Sequence, residues 1–309
     1  MYQSNLHYLL SNNIFTVTAE IGPPKGSDGT LIKDKAELLR KSADAFNVTD
    51  NQTAVVRLSS IAAACLVKQM GLDPVLQLSC RDRNRIALQS EVLGASAIGV
   101  HNMLCITGDH QSLGNHPHAA GVFDLDSIQF VQMIKHMRDK AIFENGERIS
   151  KKPPKMYIGA VSNPFSDPVA YRILRLEKKI KAGADFIQTQ SVFDVHRFQD
   201  WMEEIVEIGL DKKVHILAGI TPLKSVKMMK RMKYHVPGVI IPDEIERKMV
   251  QAEDAKQAGF SIACELIDEI KKIDGVHGIH ITALFWEQII PSLVKETNLL
   301  PRPSLTSTI

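Results

Sequence analysis

Short apolar runs alternate with amphipathic, helix-length stretches along this 309-residue chain. Eight such runs end abruptly on a polar or acidic residue, at Glu20, Asp50, Ser79, Asp109, Asn163, Gln190, Thr221 and Thr282. Runs this short and rich in Val, Ile and Phe are typical of strands that are buried on both faces. Strands that alternate with helices predict parallel βα units, and eight units in a chain of this length predict a closed (β/α)8 TIM barrel.

The helical stretches can be placed between these strands. We expect helices over 30–43, 54–70, 243–272 and 285–296, with further helices that end near Gly94 or begin near Asp124. The apolar residues inside VPGVIIPDEIERK are flanked by prolines, which favours a structured loop over an extra strand. The chain is therefore predicted to form one barrel domain, 1–297, followed by a tail, 298–309, that is mobile or covered by a partner.

In such a barrel the functional groups lie where the strands exit at the C-terminal face. Glu20 ends the first apolar run, and partial burial there would raise its pKa and suit it to act as a general acid. An ion pair with Lys25 that anchors the following loop is an equally weighted alternative. Asp109 follows Gly108 at the fourth exit, where it either acts together with Glu20 or merely caps its loop.

Two further groups are candidates for ligand binding. Gln190 ends the sixth run, and its amide can both donate and accept hydrogen bonds to the edge of a heterocycle. A Gln with partners inside the core is the alternative. A helical row of cations formed by Arg172, Arg175, Lys178 and Lys179 could hold a diphosphate, although a solvated face paired with Glu177 is the commoner arrangement.

Composition excludes several classes of function. The 37 Lys and Arg residues nearly balance the 35 Asp and Glu residues, so no global field favours nucleic acid or a membrane surface. Neither a membrane-spanning stretch nor a secretory signal is recognisable, and the four cysteines are far apart without a CxxC pair. We therefore expect a cytoplasmic protein with reduced thiols and no metal site. The loop histidines His110, His116 and His118 do not lie at a strand end, where barrel metal ligands are expected.

Several motifs together resemble the methylenetetrahydrofolate reductase family of flavoproteins. The resemblance runs from about residue 15 to 290 and covers AEIGPPKG, FNVTDNQ, ITGD, KAGADFIQTQSVFD and ILAGITPL. It implies a (β/α)8 barrel that binds FAD, with FMN as a possibility, and reduces 5,10-methylenetetrahydrofolate to 5-methyltetrahydrofolate by hydride transfer from the flavin. Such an enzyme serves one-carbon metabolism, in methionine biosynthesis or in the Wood–Ljungdahl pathway. We also expect an oligomer.

The resemblance also implies roles for individual residues. Glu20 matches the general acid, and Asp109 matches the acidic residue that influences both flavin and folate. Gln190 matches a folate contact, and Phe285 is added as a candidate substrate contact. The positions assigned to the flavin are Thr49, Asp50, Gln77, Thr107, Gly108, Asp109, Val161, Asn163, Arg172, Arg175, Lys178 and Lys179.

The chain departs from the family pattern where the flavin and its electron donor are expected. Gln77, Thr107 and Val161 replace a His, an Arg and a Tyr. Val226 stands where the better-known bacterial enzymes place a Phe that stacks on the nicotinamide nucleotide, and a valine offers no such surface. Phe193 or Phe285 could supply it instead. Otherwise electrons come from a partner subunit with iron–sulfur centres or a flavin. A non-redox pterin-binding barrel, such as a methyltransferase module, is the alternative function.

Overall fold

Eight parallel strands close into a barrel in which the order of the strands follows the chain. The computed structural model describes residues 2–236 and 238–303. Strand β1 pairs with β8, for example Thr18 with His280, which closes the sheet. The predicted (β/α)8 TIM barrel is confirmed. The strands are β1 (Thr16–Ile21), β2 (Ala45–Val48), β3 (Pro74–Ser79), β4 (Asn102–Ile106), β5 (Tyr157–Ser162), β6 (Phe186–Ser191), β7 (His215–Ile220) and β8 (Val276–Ile281).

The helices are α1 (Asn5–Ser11), α2 (Thr30–Leu39), α3 (Ser60–Gln69), α4 (Arg85–Ala97), α5 (Ser127–Lys135), α6 (Ala170–Ala182), α7 (Val195–Glu207), α8 (Val226–His235), α9 (Asp243–Gln251), α10 (Ala255–Ile270) and α11 (Ile290–Glu296). Helices α2 to α10 connect successive strands and cover the outside of the barrel, whereas α1 precedes β1 and α11 follows β8. The main core lies between the strands and these helices. Side chains alternate along each strand, so every second residue faces this core and the others face the lumen.

Strand β1 shows how the alternation places a functional group. Val17, Ala19 and Ile21 pack in the outer core. Thr18 points into the lumen, where its hydroxyl lies 2.9 Å from a ring nitrogen of His280 on β8. Glu20 shares the parity of Thr18, so it faces the lumen one residue before the strand ends.

A short N-terminal helix closes the base of the barrel, which the sequence pattern did not predict. Leu6 and Leu10 of α1 pack in one cluster with lumen residues that include Phe186. The ring of Phe186 crosses the lumen so closely that a Cβ at Gly159 would come within 2.2 Å of it. The lower half of the lumen is therefore filled, and only its C-terminal end is open to a ligand.

Four predicted helices differ from those observed. The first, predicted over 30–43, already ends at Leu39, because the chain turns at residues 40–42 towards β2. The stretch 54–59, predicted as helix, is a loop in which Ala54 has φ of 55° and Leu58 bonds back to Pro24. The stretch 243–272 is divided into α9 and α10, because the side chain of Asp254 caps the N-terminus of α10. In the stretch 285–296, Phe285 has φ of 53° and lies outside α11. Residues 238–242 form neither helix nor strand, as the flanking prolines predict.

The first part of the predicted tail is fixed to the barrel. The Arg302 guanidinium forms an ion pair with Asp44, at 2.6 Å, and also donates to the carbonyl of Phe15. Both charged side chains are almost fully buried. A buried ion pair thus anchors residues 298–303 to the barrel. The remainder of the tail, 304–309, lies outside the described residues.

Candidate active site

Glu20 lies at the open end of the lumen and carries a strongly shifted pKa. Burial in the barrel mouth raises the pKa of Glu20 from 4.5 to about 7, although a hydrogen bond from Gln52 opposes the rise. The Gln52 amide donates to Oε1 of Glu20 over 3.2 Å. Lys25 is exposed, and the ion pair considered as an alternative is not formed within the described residues. Near neutral pH Glu20 can therefore hold a proton and release it to a base.

Glu20 opens onto a small cavity of about 130 Å³ between the exits of β1, β2 and β8. Lys35 of α2 and Glu287, from the loop after β8, form an ion pair on its wall, with Nζ 2.5 Å from Oε1. Arg57 also lines the cavity and donates to the carbonyl of Pro23 over 3.2 Å. Sequence reasoning missed Lys35, Arg57 and Glu287, since none of them ends an apolar run.

Phe285 forms the rim of the same cavity. Its side chain is 74% exposed, although most aromatic side chains of this size are largely buried. Its backbone has φ of 53°, a conformation that costs energy for a bulky residue and is found mainly at functional sites. The carbonyl of Phe285 accepts a hydrogen bond from Lys224 over 2.9 Å. Phe285 is therefore held as a free aromatic surface beside Glu20.

A layer of polar side chains fills the lumen below Glu20. Asn47 and Gln188 exchange two hydrogen bonds, of 2.7 and 3.0 Å, and Gln188 also donates to Thr18. Thr18 in turn contacts His280, and burial lowers the pKa of His280 to about 4. The layer is therefore uncharged at neutral pH, and it forms a rigid floor beneath the mouth. Sequence reasoning did not identify it, because these residues lie inside apolar runs.

Gln190 lies above this floor, and an irregularity in β6 sets its orientation. The pairing of β6 with β7 shifts register between Gln188 and Ser191. Gly219 permits the bulge, since a Cβ there would lie 2.5 Å from the carbonyl oxygen of Thr189. The Oε1 atom of Gln190 accepts from the Ser191 backbone over 3.2 Å. The amide nitrogen has no partner within the described residues, so it can donate to a ligand.

Asp109 lies at a second and larger cavity, of about 500 Å³, at the exits of β4 and β5. The sequence suggested that Asp109 and Glu20 act together across the mouth, whereas the structure places them in two separate cavities. Asp109 is exposed, and its backbone carbonyl accepts from Arg81 over 3.1 Å. Predicted flavin positions that line this cavity are Thr107, Gly108, Asp109, Val161, Asn163, Arg172, Arg175 and Lys179.

Gly108 is required by the backbone at this exit. It has φ of 92°, and a Cβ would come within 3.0 Å of Ser79 and 3.1 Å of Arg81. Any other residue would be strained and would push β4 away from β3. A glycine is therefore needed here because Ser79 and Arg81 pack directly against its Cα. Since Gly108 has no side chain, the wall of the larger cavity is open at this point.

The predicted row of cations on α6 is divided between different roles. Arg172 is buried and donates to the carbonyls of Phe165 and Ser166, so it shapes the preceding loop. Lys179 donates to the carbonyl of Val161, and burial together with nearby Arg175 lowers the pKa of Lys179 to about 8.

Arg175 lines the cavity as an exposed cation, whereas Lys178 is exposed and lies outside the lining. Glu177 approaches Lys181, at 3.7 Å, rather than the row. The cavity therefore has a positive wall formed by Arg175 and Lys179.

Three other predicted flavin positions are buried near the exits of β2 and β3. Asp50 accepts from Ser79 and forms a bidentate ion pair with Arg83, at 2.7 and 3.2 Å, so its oxygens are already satisfied. In contrast, Oγ1 of Thr49 is buried without a hydrogen-bond partner in the described structure. Gln77 is 8% exposed and faces the lumen. An unpaired buried hydroxyl is costly, which is consistent with a ligand that completes it.

The residues considered for nucleotide stacking differ in how exposed they are. Phe193 is buried in the cluster around α8 and offers no free surface. Val226 begins α8 and packs against the same cluster. Of the two aromatic residues that were candidates, Phe285 alone has an exposed ring.

The described part of the chain has neither a cluster of metal-ligating side chains nor a helix of bilayer-spanning length. It contains no group of three His, Cys, Asp or Glu residues suited to a metal ion. His110, His116 and His118 lie in the exposed loop after β4. The four cysteines are free. No helix among the described residues is long and apolar enough to cross a bilayer.

Comparison with known proteins identifies one family. The family model for methylenetetrahydrofolate reductase matches residues 5–298. A 5,10-methylenetetrahydrofolate reductase of Pectobacterium carotovorum is 24% identical over 276 residues, which are 87% of this chain and 85% of that protein. Methylenetetrahydrofolate reductase 2 of Schizosaccharomyces pombe is 24% identical over 92% of this chain. The chain spans only 45% of that protein and 35% of a probable reductase of Caenorhabditis elegans.

Solved structures agree with the fold. A protein from Clostridium thermocellum that binds two copies of 5-methyl-5,6,7,8-tetrahydrofolic acid superposes with a TM-score of 0.65 at 15% identity, over 94% of this chain and 98% of that one. Oxaloacetate acetylhydrolase superposes with a TM-score of 0.51 at 12% identity, over 97% of this chain and 87% of that one. At these identities the likeness concerns the fold alone.

Proposed function

The chain belongs to the methylenetetrahydrofolate reductase family, and on this premise we propose that it reduces 5,10-methylenetetrahydrofolate to 5-methyltetrahydrofolate with a bound flavin. The observation that carries the proposal is Glu20, a carboxyl group with a pKa of about 7 at the open end of the barrel. Relatives named for this reaction, and a solved barrel that binds methyltetrahydrofolate, support the same choice of substrate.

Glu20 performs the proton transfer in this proposal. Its carboxyl protonates a nitrogen of the five-membered ring that carries the methylene group, and the ring opens to an electrophilic iminium. The floor below Glu20 is uncharged and fully hydrogen-bonded. No cation in the floor therefore lowers the pKa of the Glu20 carboxyl group. After reduction the Glu20 carboxylate regains a proton from solvent through the open mouth.

Folate is held by neutral groups and an aromatic surface. The free amide nitrogen of Gln190 donates to an acceptor on the edge of the pterin. Phe285 lies on the same cavity as Glu20 and stacks on a flat ring of the substrate. These two contacts orient the ring nitrogen towards the Glu20 carboxyl.

The larger cavity fits a flavin nucleotide. Its volume of about 500 Å³ lies within the range of cofactor pockets, and Arg175 and Lys179 suit a diphosphate. Thr49, whose hydroxyl is buried without a partner among the described residues, is a further predicted flavin position, although it does not line this cavity. When bound there, the flavin supplies the hydride that reduces the methylene carbon. Asp109, on the cavity wall, influences the charge around the flavin, and Asp50 with Arg83 keeps the adjoining strand ends in place.

The electron donor is proposed to differ from that of the better-known bacterial enzymes. Val226 offers no stacking surface for a nicotinamide nucleotide, and Phe193 is buried. Phe285 has an exposed ring, but this proposal assigns that ring to the folate. We therefore favour delivery of electrons by a partner subunit with iron–sulfur centres or a second flavin. We also propose that the protein is cytoplasmic and oligomeric, as expected from the sequence.

Absorbance spectroscopy and an anaerobic assay test the proposal. The purified protein should be yellow, and its flavin should be bleached by a reduced viologen and re-oxidised by 5,10-methylenetetrahydrofolate with formation of 5-methyltetrahydrofolate. A colourless protein that neither FAD nor FMN reconstitutes, yet binds methyltetrahydrofolate, would refute the reductase and leave a non-redox pterin-binding barrel.

A further inference from the structure

Two carboxyl groups and one ammonium group share the small cavity of Glu20. Lys35 lies on α2 and Glu287 lies in the loop after β8, and the side chains of both are mostly buried. The Lys35 ammonium is 2.5 Å from Oε1 of Glu287 and 3.5 Å from the carbonyl of Gly22. Gly22 is only two residues after Glu20. The ammonium is thus held beside the exit of β1, close to the group that is proposed to donate the proton.

The choice of partner for this ammonium determines what Glu20 can do. A cation within about 4–6 Å lowers the pKa of a carboxyl group by 1–3 units, and a second carboxylate raises it. If Lys35 paired with Glu20, the Glu20 carboxyl would lose its proton well below neutral pH. In the structure Lys35 pairs with Glu287 instead, and Glu20 takes its only hydrogen bond, among the described groups, from the neutral amide of Gln52.

The other charged groups around the cavity do not change this choice. Arg57, from the loop after β2, is tied to the carbonyl of Pro23, and Lys25 is exposed. Burial is the main cause of the raised pKa of Glu20. Among the charges, Glu287 adds to the rise, and Lys35 and Arg57 oppose it. The ion pair has no net charge, so it acts on Glu20 through the positions of its two charged groups.

We infer, on the basis of the proposed function, that Glu287 is a positioning residue for the Glu20 acid, because it captures the Lys35 ammonium that would otherwise pair with Glu20. Lys35 and Glu287 do not line the larger cavity that is assigned to the flavin. Their role is to keep Glu20 able to hold a proton at neutral pH. Substitutions of Lys35 and of Glu287 are therefore expected to have opposite effects on the pKa of Glu20 that offset each other when they are combined.

Direct titration of Glu20 tests this inference without any turnover. Protein labelled with ¹³C at glutamate carboxyl carbons is titrated by NMR, and the Glu20 resonance is assigned by its loss in Glu20→Gln. In Glu287→Gln the pKa of Glu20 should fall by about one unit or more, because Lys35 is released to pair with it. In Lys35→Met the pKa should rise. In the double variant it should return towards the wild-type value.

A matched control separates this effect from a general change in charge. Glu265 on α10 forms an exposed ion pair with Lys248 on α9, remote from the mouth. Glu265→Gln removes the carboxylate of this pair. This variant should leave the pKa of Glu20 unchanged. A fall as large as that in Glu287→Gln would show that capture of Lys35 is not the cause.

The pH profile of folate turnover provides the catalytic readout. Turnover needs protonated Glu20, so its alkaline limb should move to lower pH in Glu287→Gln. A fall of one pKa unit reduces the protonated fraction about tenfold above the wild-type pKa and hardly at all below pH 5.5. Turnover of Glu287→Gln at pH 8 should therefore be about tenfold below wild type, and the added Lys35→Met change should restore it.

The outcomes distinguish the inference from the function on which it rests. An unchanged pKa of Glu20 in both single variants would overturn the inference. A pKa that moves while the turnover profile stays in place would support the electrostatic role of Glu287 and refute the acid role of Glu20. Should Glu287→Gln not fold, Lys35→Met and the neutral double variant decide. The inference predicts a rise in the pKa of Glu20 in the first and a return towards the wild-type value in the second, and a pKa unchanged in both would overturn it.

Discussion

Replacement of Glu20 by Gln tests the proposed chemistry and the electrostatics of the mouth in one variant. Glutamine keeps the size of the side chain and can still bond to Gln52, but it cannot donate a proton as an acid. Loss of general acid catalysis should reduce folate turnover about 10²–10⁴-fold. Flavin binding, and flavin reduction by an artificial donor, should remain near wild type, because Glu20 lies in a different cavity from the predicted flavin residues.

The raised pKa also predicts a change in stability with a definite sign. The pKa of Glu20 is 4.5 in the unfolded chain and about 7 in the folded protein. Between these values the folded protein binds a proton that the unfolded chain has released, so the free energy of unfolding falls as pH rises. At about 1.4 kcal/mol per pKa unit, wild type should lose about 3 kcal/mol relative to Glu20→Gln between pH 4 and pH 8.

Two measurements check these expectations. Urea unfolding of wild type and Glu20→Gln at pH 4, 6 and 8 gives the difference in stability, in which most other titrating groups cancel. Anaerobic turnover of 5,10-methylenetetrahydrofolate from pH 5.5 to 9 should show that wild-type activity falls as pH rises through about 7. A stability difference that does not vary with pH, or a variant with more than a tenth of wild-type turnover, would refute the reasoning.

Four further predictions concern the cofactor cavity, the tail and the electron donor. Asp109→Asn should shift the flavin midpoint potential and weaken folate binding, because a charge is removed from the cavity wall; an unshifted potential in spectroelectrochemistry would place Asp109 away from the flavin. Thr49→Val should weaken flavin binding up to about tenfold in fluorescence titrations. Urea unfolding of the flavin-free protein should be unchanged, because the hydroxyl has no partner among the described residues. Unchanged flavin affinity would contradict the role of Thr49. Arg302→Met should lower the free energy of unfolding by about 3–5 kcal/mol because it leaves Asp44 buried and unpaired. Arg85→Met, in an exposed pair with Asp124, should lower it far less; equal losses would show that burial of the pair is unimportant. Millimolar NADH should bleach the flavin slowly in stopped-flow mixing, since Val226 cannot stack on the nucleotide, and bleaching within a second would disprove the need for a partner.

Much of the architecture could be predicted because a parallel barrel leaves a local signature. A strand that is buried on both faces is a short apolar run, and the polar residue that ends it marks the exit. The ends of β1, β3, β5, β6, β7 and β8 therefore lie within one residue of those predicted, and β2 ends two residues before Asp50. Asp109 is the exception, because β4 ends at Ile106 and the following turn carries Asp109 beyond the strand.

Errors arose where the backbone follows a contact from another part of the chain. The stretch 54–59 has a helical composition, but its backbone bonds to Pro24 and Asn51 and forms part of the cavity wall. Helix α1 gives no long periodic signal, yet its leucines close the base of the lumen. Intrinsic helix propensity determines the structure of neither segment, because tertiary contacts outweigh it.

For this protein, the sequence by itself determined the barrel, the face that carries the site, and the presence of Glu20 and Gln190 at strand exits. Each of these follows from local periodicity, which a single strand or helix already contains. Only the tertiary structure decided that Glu20 and Asp109 open onto separate cavities, and that Lys35 pairs with Glu287, 252 residues away in the chain. The physical reason is that the pKa of a carboxyl group depends on its burial and on charges within a few ångströms of it. Closure of the barrel brings such charges together, and the separation of two residues along the chain does not indicate how far apart they lie in the folded protein.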